Sequence, residues 1–194
     1  IEGQKKADAK FLVDKKTQLD KDEKIIGEYL AKNNITATVK SPMGVHIQIL
    51  TPGTDKITDS SNVKINYTGQ TLAGVVFDSN TDTKFGHKEP YLVSMGAPQV
   101  IKGWIESLNM LSKGAKARVF IPSALGYGEQ GNGSSIPPNE NLIFDMEVID
   151  LLSPQQAQAE QMAAQQKQQQ QMMEQQKKME ALSKKSAPDS VKKN

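Results

Sequence analysis

Between residues 45 and 152 the sequence is divided into short segments of alternating apolar and polar side chains, most of which end near glycine or proline. In the first segment, Val45, Ile47 and Ile49 alternate with polar residues, and a Pro-Gly pair follows. A period of two residues is typical of a strand with one buried face, and Gly and Pro are frequent in turns. Strands are predicted at about residues 45–49, 63–67, 75–77, 91–93, 117–121 and 142–152. The sequence therefore predicts an antiparallel sheet of five or six strands.

A helical spacing interrupts this pattern once. Trp104, Leu108 and Leu111 lie at i, i+4 and i+7, which places them on one face of a short helix that Gly114 ends. One short helix among antiparallel strands predicts an α+β fold in which a curved sheet wraps around the helix as a half-barrel. The concave apolar space between sheet and helix is then a natural ligand site.

The segment before the predicted sheet, residues 1–40, is polar apart from a few positions. Asp20 and Glu23 have the spacing of a helix capping box, and apolar side chains at i, i+7 and i+11 form a stripe that begins at Leu19. We therefore predict one amphipathic helix at about residues 20–32. Such a helix either packs on its own domain or pairs with a second copy of the chain, which would form a homodimer.

The composition changes abruptly after Pro154. Twelve of the 22 residues from Gln155 to Gln176 are glutamine, and the others are mostly good helix formers. The apolar positions are few and form no sustained heptad. Two alternatives stay open for the Gln/Met/Lys-rich tail, residues 153–194: an amphipathic helix or weak coiled coil, and a fraying or disordered segment.

Charge and residue types argue against several function classes. The net charge is only +2, without the basic block that nucleic-acid binders usually carry, so we expect no nucleic-acid partner. The chain has no cysteine, and its two histidines, His46 and His87, have no partner at a ligand-like spacing. We therefore expect no thiol nucleophile, no histidine base, no metal and no cofactor. Asp145 and Asp150 are interpreted as exposed strand residues and not as acid catalysts.

Five short motifs occur in a fixed order over roughly residues 57–152. They are Ile65-Asn66-Tyr67-Thr68-Gly69, Val76-Phe77-Asp78-Ser79, Val100-Ile101-Lys102-Gly103-Trp104, Ile121-Pro122 with Leu125-Gly126-Tyr127-Gly128, and Ile136-Pro137-Pro138 with Leu142-Ile143-Phe144-Asp145. In this order and spacing they resemble the pocket segments of the FKBP family, the macrolide-binding peptidyl-prolyl cis–trans isomerases. The resemblance implies the family's half-barrel fold and its isomerase activity for residues 41–152, and it covers neither flank.

The resemblance also implies which residues form the site. The implied catalytic residues are Tyr67, Phe77, Asp78, Ile101, Trp104, Tyr127 and Phe144, and the implied substrate-binding residues are Tyr91, Val100 and Ile136. Trp104 would form the floor under the proline ring, Tyr127 would donate its hydroxyl to a substrate carbonyl, and Asp78 would be held by Tyr67. The chain departs from the common pattern at the rim, at Tyr91, Gln99 and Ser135.

The implied partners are proline-containing polypeptides and macrolide inhibitors. The alternative function is a non-catalytic chaperone or peptide-binding module that uses the same pocket. A lysine-rich helix before the isomerase domain is similar to envelope-located bacterial members, so we expect the bacterial cell envelope, periplasmic or membrane-tethered, in preference to the cytoplasm. No apolar run approaches the ~20 residues that span a bilayer. The sequence begins at Ile1 and not at methionine, and removal of a signal peptide or lipid-anchor segment is an open alternative.

Overall fold

The computed structural model describes residues 2–87 and 89–185 of the chain. The helices are α1 (Glu2–Asp14), α2 (Lys16–Lys32), α3 (Lys102–Leu108) and α4 (Pro154–Lys185). The strands are β1 (Val39–Lys40), β2 (His46–Thr51), β3 (Asn62–Thr71), β4 (Val76–Ser79), β5 (Tyr91–Ser94), β6 (Lys116–Ile121) and β7 (Leu142–Leu152). The chain divides into two compact units, Ile1–Leu152 and Ser153–Asn194.

The strands of the first unit form one antiparallel sheet in the order β1-β2-β6-β7-β3-β4, and β5 pairs with β3. The predicted α+β class and antiparallel sheet are confirmed. The sheet has seven strands and not the five or six predicted. The additional strand, Val39–Lys40, has only two residues, which is too short for an alternation to be visible in the sequence.

One face of the sheet packs on α3 and forms the main core. Along β3 every second residue is buried, including Val63 and Ile65, and the core continues into Leu108 of α3. Burial of each such side chain contributes about 1.5–3 kcal/mol. Gly103 allows the close approach of α3, because a Cβ at this position would overlap the side chain of Ile121 in β6.

The opposite face of β6 and β7 is covered by α2. Phe120 and Ile143, which are paired in register, are buried there with Ile26 and Leu30 of α2. The central strands are therefore buried on both faces. The apolar stripe of α2 is occupied within the same chain, which is the first of the two alternatives left by the sequence.

Two predictions about the N-terminal segment are wrong. Helix α2 begins at Lys16 and not at residue 20, so Asp20 lies inside the helix, where its carboxylate accepts a hydrogen bond from Lys16 at 2.8 Å. Residues 2–14 form a further helix that was not predicted. The physical reason is tertiary, since Phe11 and Leu12 of α1 pack against the main core although the helix around them is polar.

The second unit contains α4, which is helical over all its 32 residues. Its start carries a capping box that the sequence analysis missed: Gln156 N–H donates to Ser153 Oγ at 3.3 Å, and Ser153 N–H donates to Gln156 Oε1 at 2.9 Å. The part of the predicted tail at residues 186–194 lies outside the described residues. No helix of the described ranges combines the length and the apolar character that a bilayer crossing requires.

Candidate active site

A cavity of about 410 Å³ lies among β3, β4, β5, β7 and the start of α3. Its lining residues are Tyr67, Phe77, Asp78, Tyr91, Gln99, Val100, Ile101, Trp104, Tyr127 and Phe144. Every site residue predicted from the sequence lines this cavity except Ile136. The five motifs, which span some 80 residues of sequence, thus supply side chains to one place.

Ile136 is the exception among the predicted residues. Its side chain is only 2% exposed and belongs to the main core. Its backbone closes a loop through reciprocal hydrogen bonds with Asn132. Ile136 is therefore a buried residue that stabilises the fold, and it does not border the cavity.

The floor of the cavity is a cluster of perpendicular aromatic rings centred on Trp104. The ring centroids of Tyr67 and Phe144 lie 4.9 and 5.3 Å from that of Trp104, at interplanar angles of 74° and 87°. Tyr91 completes the contact at 6.1 Å. Edge-to-face pairs of this kind stabilise by about 0.5–1.5 kcal/mol beyond simple burial. The rings therefore stabilise one another, and together they form an aromatic floor.

The wall beside this floor depends on a glycine. Phe77 and Phe144 meet edge to face with their centroids 5.6 Å apart, directly over Gly69 of β3. A Cβ on Gly69 would lie 2.6–2.8 Å from atoms of these two rings. Glycine at this position therefore allows both rings to approach β3 closely.

The polar side of the cavity is formed by Asp78. Tyr67 Oη donates to Asp78 Oδ2 at 2.7 Å, and His87 Nε2 lies 3.1 Å from Asp78 Oδ1 and 3.4 Å from Tyr67 Oη. Burial, and then the hydrogen bond to Asp78, raise the pKa of Tyr67 well above its usual value of about 10. The phenol therefore stays protonated at neutral pH and serves as the donor that orients Asp78.

The sequence showed neither histidine with a partner at a ligand-like spacing, but in the structure each contacts one carboxylate. His87 contacts Asp78 across the loop between β4 and β5, and His46 of β2 contacts Glu23 of α2 at 3.1 Å. Both contacts join segments with no regular spacing. No sequence motif therefore predicts these contacts.

Asn80 is a further site-forming residue that the sequence did not reveal. Strands β4 and β5 pair with different halves of β3, and the buried Asn80 side chain fills the gap between them. Its Oδ1 accepts from Tyr67 N–H at 2.8 Å, and its Nδ2 donates to Ile65 O at 3.0 Å. It replaces the missing strand pairing and fixes the backbone at Tyr67. In the sequence it resembles an ordinary turn asparagine.

Residues 53–149 match the family model described as FKBP-type peptidyl-prolyl cis-trans isomerase. The chain belongs to this family.

Individual relatives agree with the assignment. The chain is 43% identical over 121 residues to a probable FKBP-type peptidyl-prolyl cis-trans isomerase of Haemophilus influenzae, covering 62% of this chain and 47% of that protein. It is 42% identical over 98 residues to FK506-binding protein 2 of Dictyostelium discoideum, covering 50% of this chain and 71% of that protein. The crystal structure of FkpA from Escherichia coli superposes with a TM-score of 0.57 at 30% identity, covering 76% of this chain and 65% of that one. The chain thus spans about half the length of the bacterial curated relative.

The cavity combines an apolar floor and wall with a polar edge, so it can bind an apolar group next to hydrogen-bonding atoms. Its floor and wall are aromatic, and Asp78, Tyr67 and Tyr127 provide the polar atoms. Among the described residues, no group of three or more acidic or histidine side chains could hold a metal ion.

Proposed function

We propose that this chain is a peptidyl-prolyl cis–trans isomerase that assists protein folding, and that residues 41–152 form its isomerase domain. The observation that supports the proposal most is the Trp104-centred floor with Asp78 and Tyr127 at its polar edge. The size of the cavity, about 410 Å³, is within the usual range of small-molecule sites. A proline ring and its flanking amide groups fit such a space.

The reaction needs stabilisation of a twisted amide and no covalent chemistry. Rotation about an X-Pro bond has a barrier of about 18–20 kcal/mol because it breaks amide resonance. The twisted amide has lost charge separation and is less polar than the planar amide. An apolar, water-excluding site therefore favours the twisted state over the ground state, and such differential binding is catalysis.

We assign the roles as follows. Trp104 carries the proline ring, and Phe77, Val100 and Phe144 exclude water around it. The Tyr127 hydroxyl donates to a substrate carbonyl, and the backbone N–H of Ile101, at the start of α3, binds the chain beyond the proline. Asp78, held by Tyr67, is the polar wall that faces the rotating amide.

Partners and location follow from the same proposal. The substrates are proline-containing polypeptides, and macrolides of the FK506 type would compete for the pocket, as the name of the Dictyostelium relative suggests. We propose a place in the bacterial cell envelope, testable by fractionation of the source cells. A homodimer through the N-terminal helices stays a prediction. With the stripe of α2 buried, it would depend on exposed residues such as Val13 and Ile25, and light scattering on the full chain tests it.

The second candidate function is a peptide-binding module without useful turnover. It is favoured by the rim, where Gln99 and Tyr91, two positions that depart from the common family pattern, are exposed. The complete aromatic floor favours the isomerase, since stabilisation of the less polar twisted amide requires an apolar base.

A protease-coupled proline-peptide assay on the full chain separates the two. We expect turnover by the wild type, a loss of about 2–13-fold for Tyr127→Phe, which removes one hydrogen bond of about 0.5–1.5 kcal/mol, and a larger loss for Asp78→Leu. Trp104→Ala should weaken macrolide binding most. If the wild type bound macrolide but showed no turnover, the isomerase function would be rejected in favour of the peptide-binding module. A 10⁴-fold loss in folded Tyr127→Phe would instead indicate proton-transfer chemistry.

A further inference from the structure

A fully buried carboxyl group joins helix α2 to the loop that carries Tyr127. Asp22 is 0% exposed. Its Oδ1 accepts from Gln18 Nε2 at 2.9 Å and from Ser123 Oγ at 3.0 Å, and its Oδ2 accepts from Ser123 Oγ at 2.8 Å and from Ala124 N–H at 3.2 Å. A buried carboxyl group is costly unless its oxygens are hydrogen-bonded. The side chain and backbone of the loop meet that requirement.

The loop at the other end of these hydrogen bonds leads directly into the cavity. Ser123–Leu125 is a single 3-10 turn that follows β6, and Tyr127 comes two residues later. Ser123 N–H also donates to Asn141 Oδ1 at 2.8 Å. The turn is thus held from two sides, by Asn141 at the start of β7 and by Asp22 of α2.

Helix α1 contacts the first residue of α3. Lys102 Nζ lies 2.6 Å from Asp8 Oδ1 and 5.2 Å from the centre of the Phe11 ring. Lys102 is the residue after the cavity-lining Ile101. Both N-terminal helices therefore contact backbone segments that carry site residues, although residues 2–32 lie wholly outside the 53–149 range of the family model.

We propose that Asp22 is a positioning residue for the isomerase: through Ser123 and Ala124 it fixes the Ser123–Tyr127 segment, and so places the Tyr127 hydroxyl at the substrate carbonyl. The proposal rests on the proposed function, because the placement matters only if Tyr127 contacts substrate. Asp22 itself touches no substrate, since its side chain is fully buried and does not line the cavity.

The first test is a double-mutant cycle measured as kcat/KM on the full chain. Asp22→Ala should lower kcat/KM about 3–10-fold, a range set by the one hydrogen bond that Tyr127 donates. In a Tyr127→Phe background the same change should cost less than twofold, because the hydroxyl to be positioned is already absent. Equal losses in the two backgrounds would show that Asp22 does not act through Tyr127.

A matched control separates positioning from general stability. Leu30→Ala weakens the same helix in its apolar cluster with Phe120 and Ile143 and leaves the Asp22 hydrogen bonds to the loop in place. At a temperature where both variants are folded, Leu30→Ala should leave kcat/KM within twofold of wild type. A loss of kcat/KM as large as that of Asp22→Ala would show that Asp22 contributes only to stability. If Asp22→Ala does not fold, Asp22→Asn and Ser123→Ala provide the same comparison.

A second readout needs no turnover and so distinguishes failure of this proposal from failure of the isomerase assignment. Ala124 N–H is bonded to Asp22, so backbone amides of residues 123–127 should exchange with solvent at least 10-fold faster in Asp22→Ala, with those of β7 unchanged. Unchanged exchange at residues 123–127 would overturn the proposal even in an active enzyme. Faster exchange in a chain without turnover would retain the anchoring role and reject the proposed function instead.

Discussion

The two helical flanks of this chain, α2 and α4, are helical for different reasons. Helix α2 has 17 residues and buries three of them, Asp22, Ile26 and Leu30, within its own unit. Helix α4 has 32 residues, and from residue 158 to residue 179 its side chains are all exposed. The first is stabilised by tertiary packing, and the second by its Gln-, Ala- and Lys-rich composition and its capping box. Helical structure alone therefore does not show that a segment belongs to the catalytic unit.

The difference sets where each flank can act. A change in the buried face of α2 is transmitted to β6, β7 and the loop after β6, because these elements share one apolar cluster and the Asp22 hydrogen bonds. The side chains of α4 from residue 158 to residue 179 are exposed, so we expect a change there to leave the free energy of unfolding of the first unit nearly unchanged. Three predictions test this contrast, in order of decreasing effect.

The largest effect is expected from Ile26→Ala. Ile26 is 0% exposed, and truncation of a buried Ile to Ala costs about 2–5 kcal/mol from lost burial and the remaining cavity. The control is Met172→Ala in α4, where the side chain is 56% exposed and the expected change is within about 0.5 kcal/mol. Urea denaturation followed by Trp104 fluorescence measures the free energy of unfolding of the first unit. Equal midpoints for the two variants would remove the contrast between the flanks.

A smaller and pH-dependent effect is expected from Glu23→Gln. Burial by itself raises the pKa of Glu23, but hydrogen bonds with Lys40 and His46 outweigh it, so the net pKa is lowered. A carboxyl group whose pKa is lowered in the folded state stabilises the protein at pH values above its unfolded-state pKa of about 4.3. This stabilisation is lost as the pH falls through the folded-state pKa. The free energy of unfolding of the wild type should therefore exceed that of the variant by up to about 1 kcal/mol near pH 6, a figure that allows for the partial exposure of Glu23. The two free energies should converge toward pH 3.

The matched control for this pH series lies in α4. Glu174 and Lys178 form an i,i+4 pair at 3.0 Å, with both side chains about 70% exposed. Such helix-surface pairs contribute only about 0.3–0.5 kcal/mol, so Glu174→Gln should leave the unfolding free energy of the first unit unchanged at every pH. A wild-type advantage over Glu23→Gln that grew toward acid pH would contradict the sign derived from the Glu23 contacts.

The same contrast explains what the sequence could and could not predict. Period-two alternation predicted most of the strands because one face of the sheet enters the main core, and the i, i+4, i+7 spacing predicted α3. Helix α1 was missed because Phe11 and Leu12 pack against the main core, a tertiary contact that the local sequence does not record. The start of α2 was misplaced because Asp20 and Glu23 have the spacing of a capping box but lie inside the helix. The motifs predicted the aromatic residues that the structure brings together in one cavity. Asn80, His87 and the buried place of Ile136 depend on loop geometry that no periodicity records.

The smallest effect is expected from deletion of residues 155–194. Among residues 2–87 and 89–185, those that line the cavity all precede residue 145, and the deleted segment carries few large apolar side chains apart from scattered methionines. Turnover of a short proline peptide by the shortened chain should stay within about twofold of wild type, which corresponds to about 0.4 kcal/mol of activation free energy. Matched assays at equal active-site concentration, set by macrolide titration, measure it. A greater loss on the short peptide would mean that α4 contributes to the site, and the division between an integrated N-terminal flank and an independent C-terminal flank would fail. A loss seen only with an unfolded protein substrate, with the short-peptide rate unchanged, would instead give α4 a part in capturing long chains while the chemistry stays in the first unit.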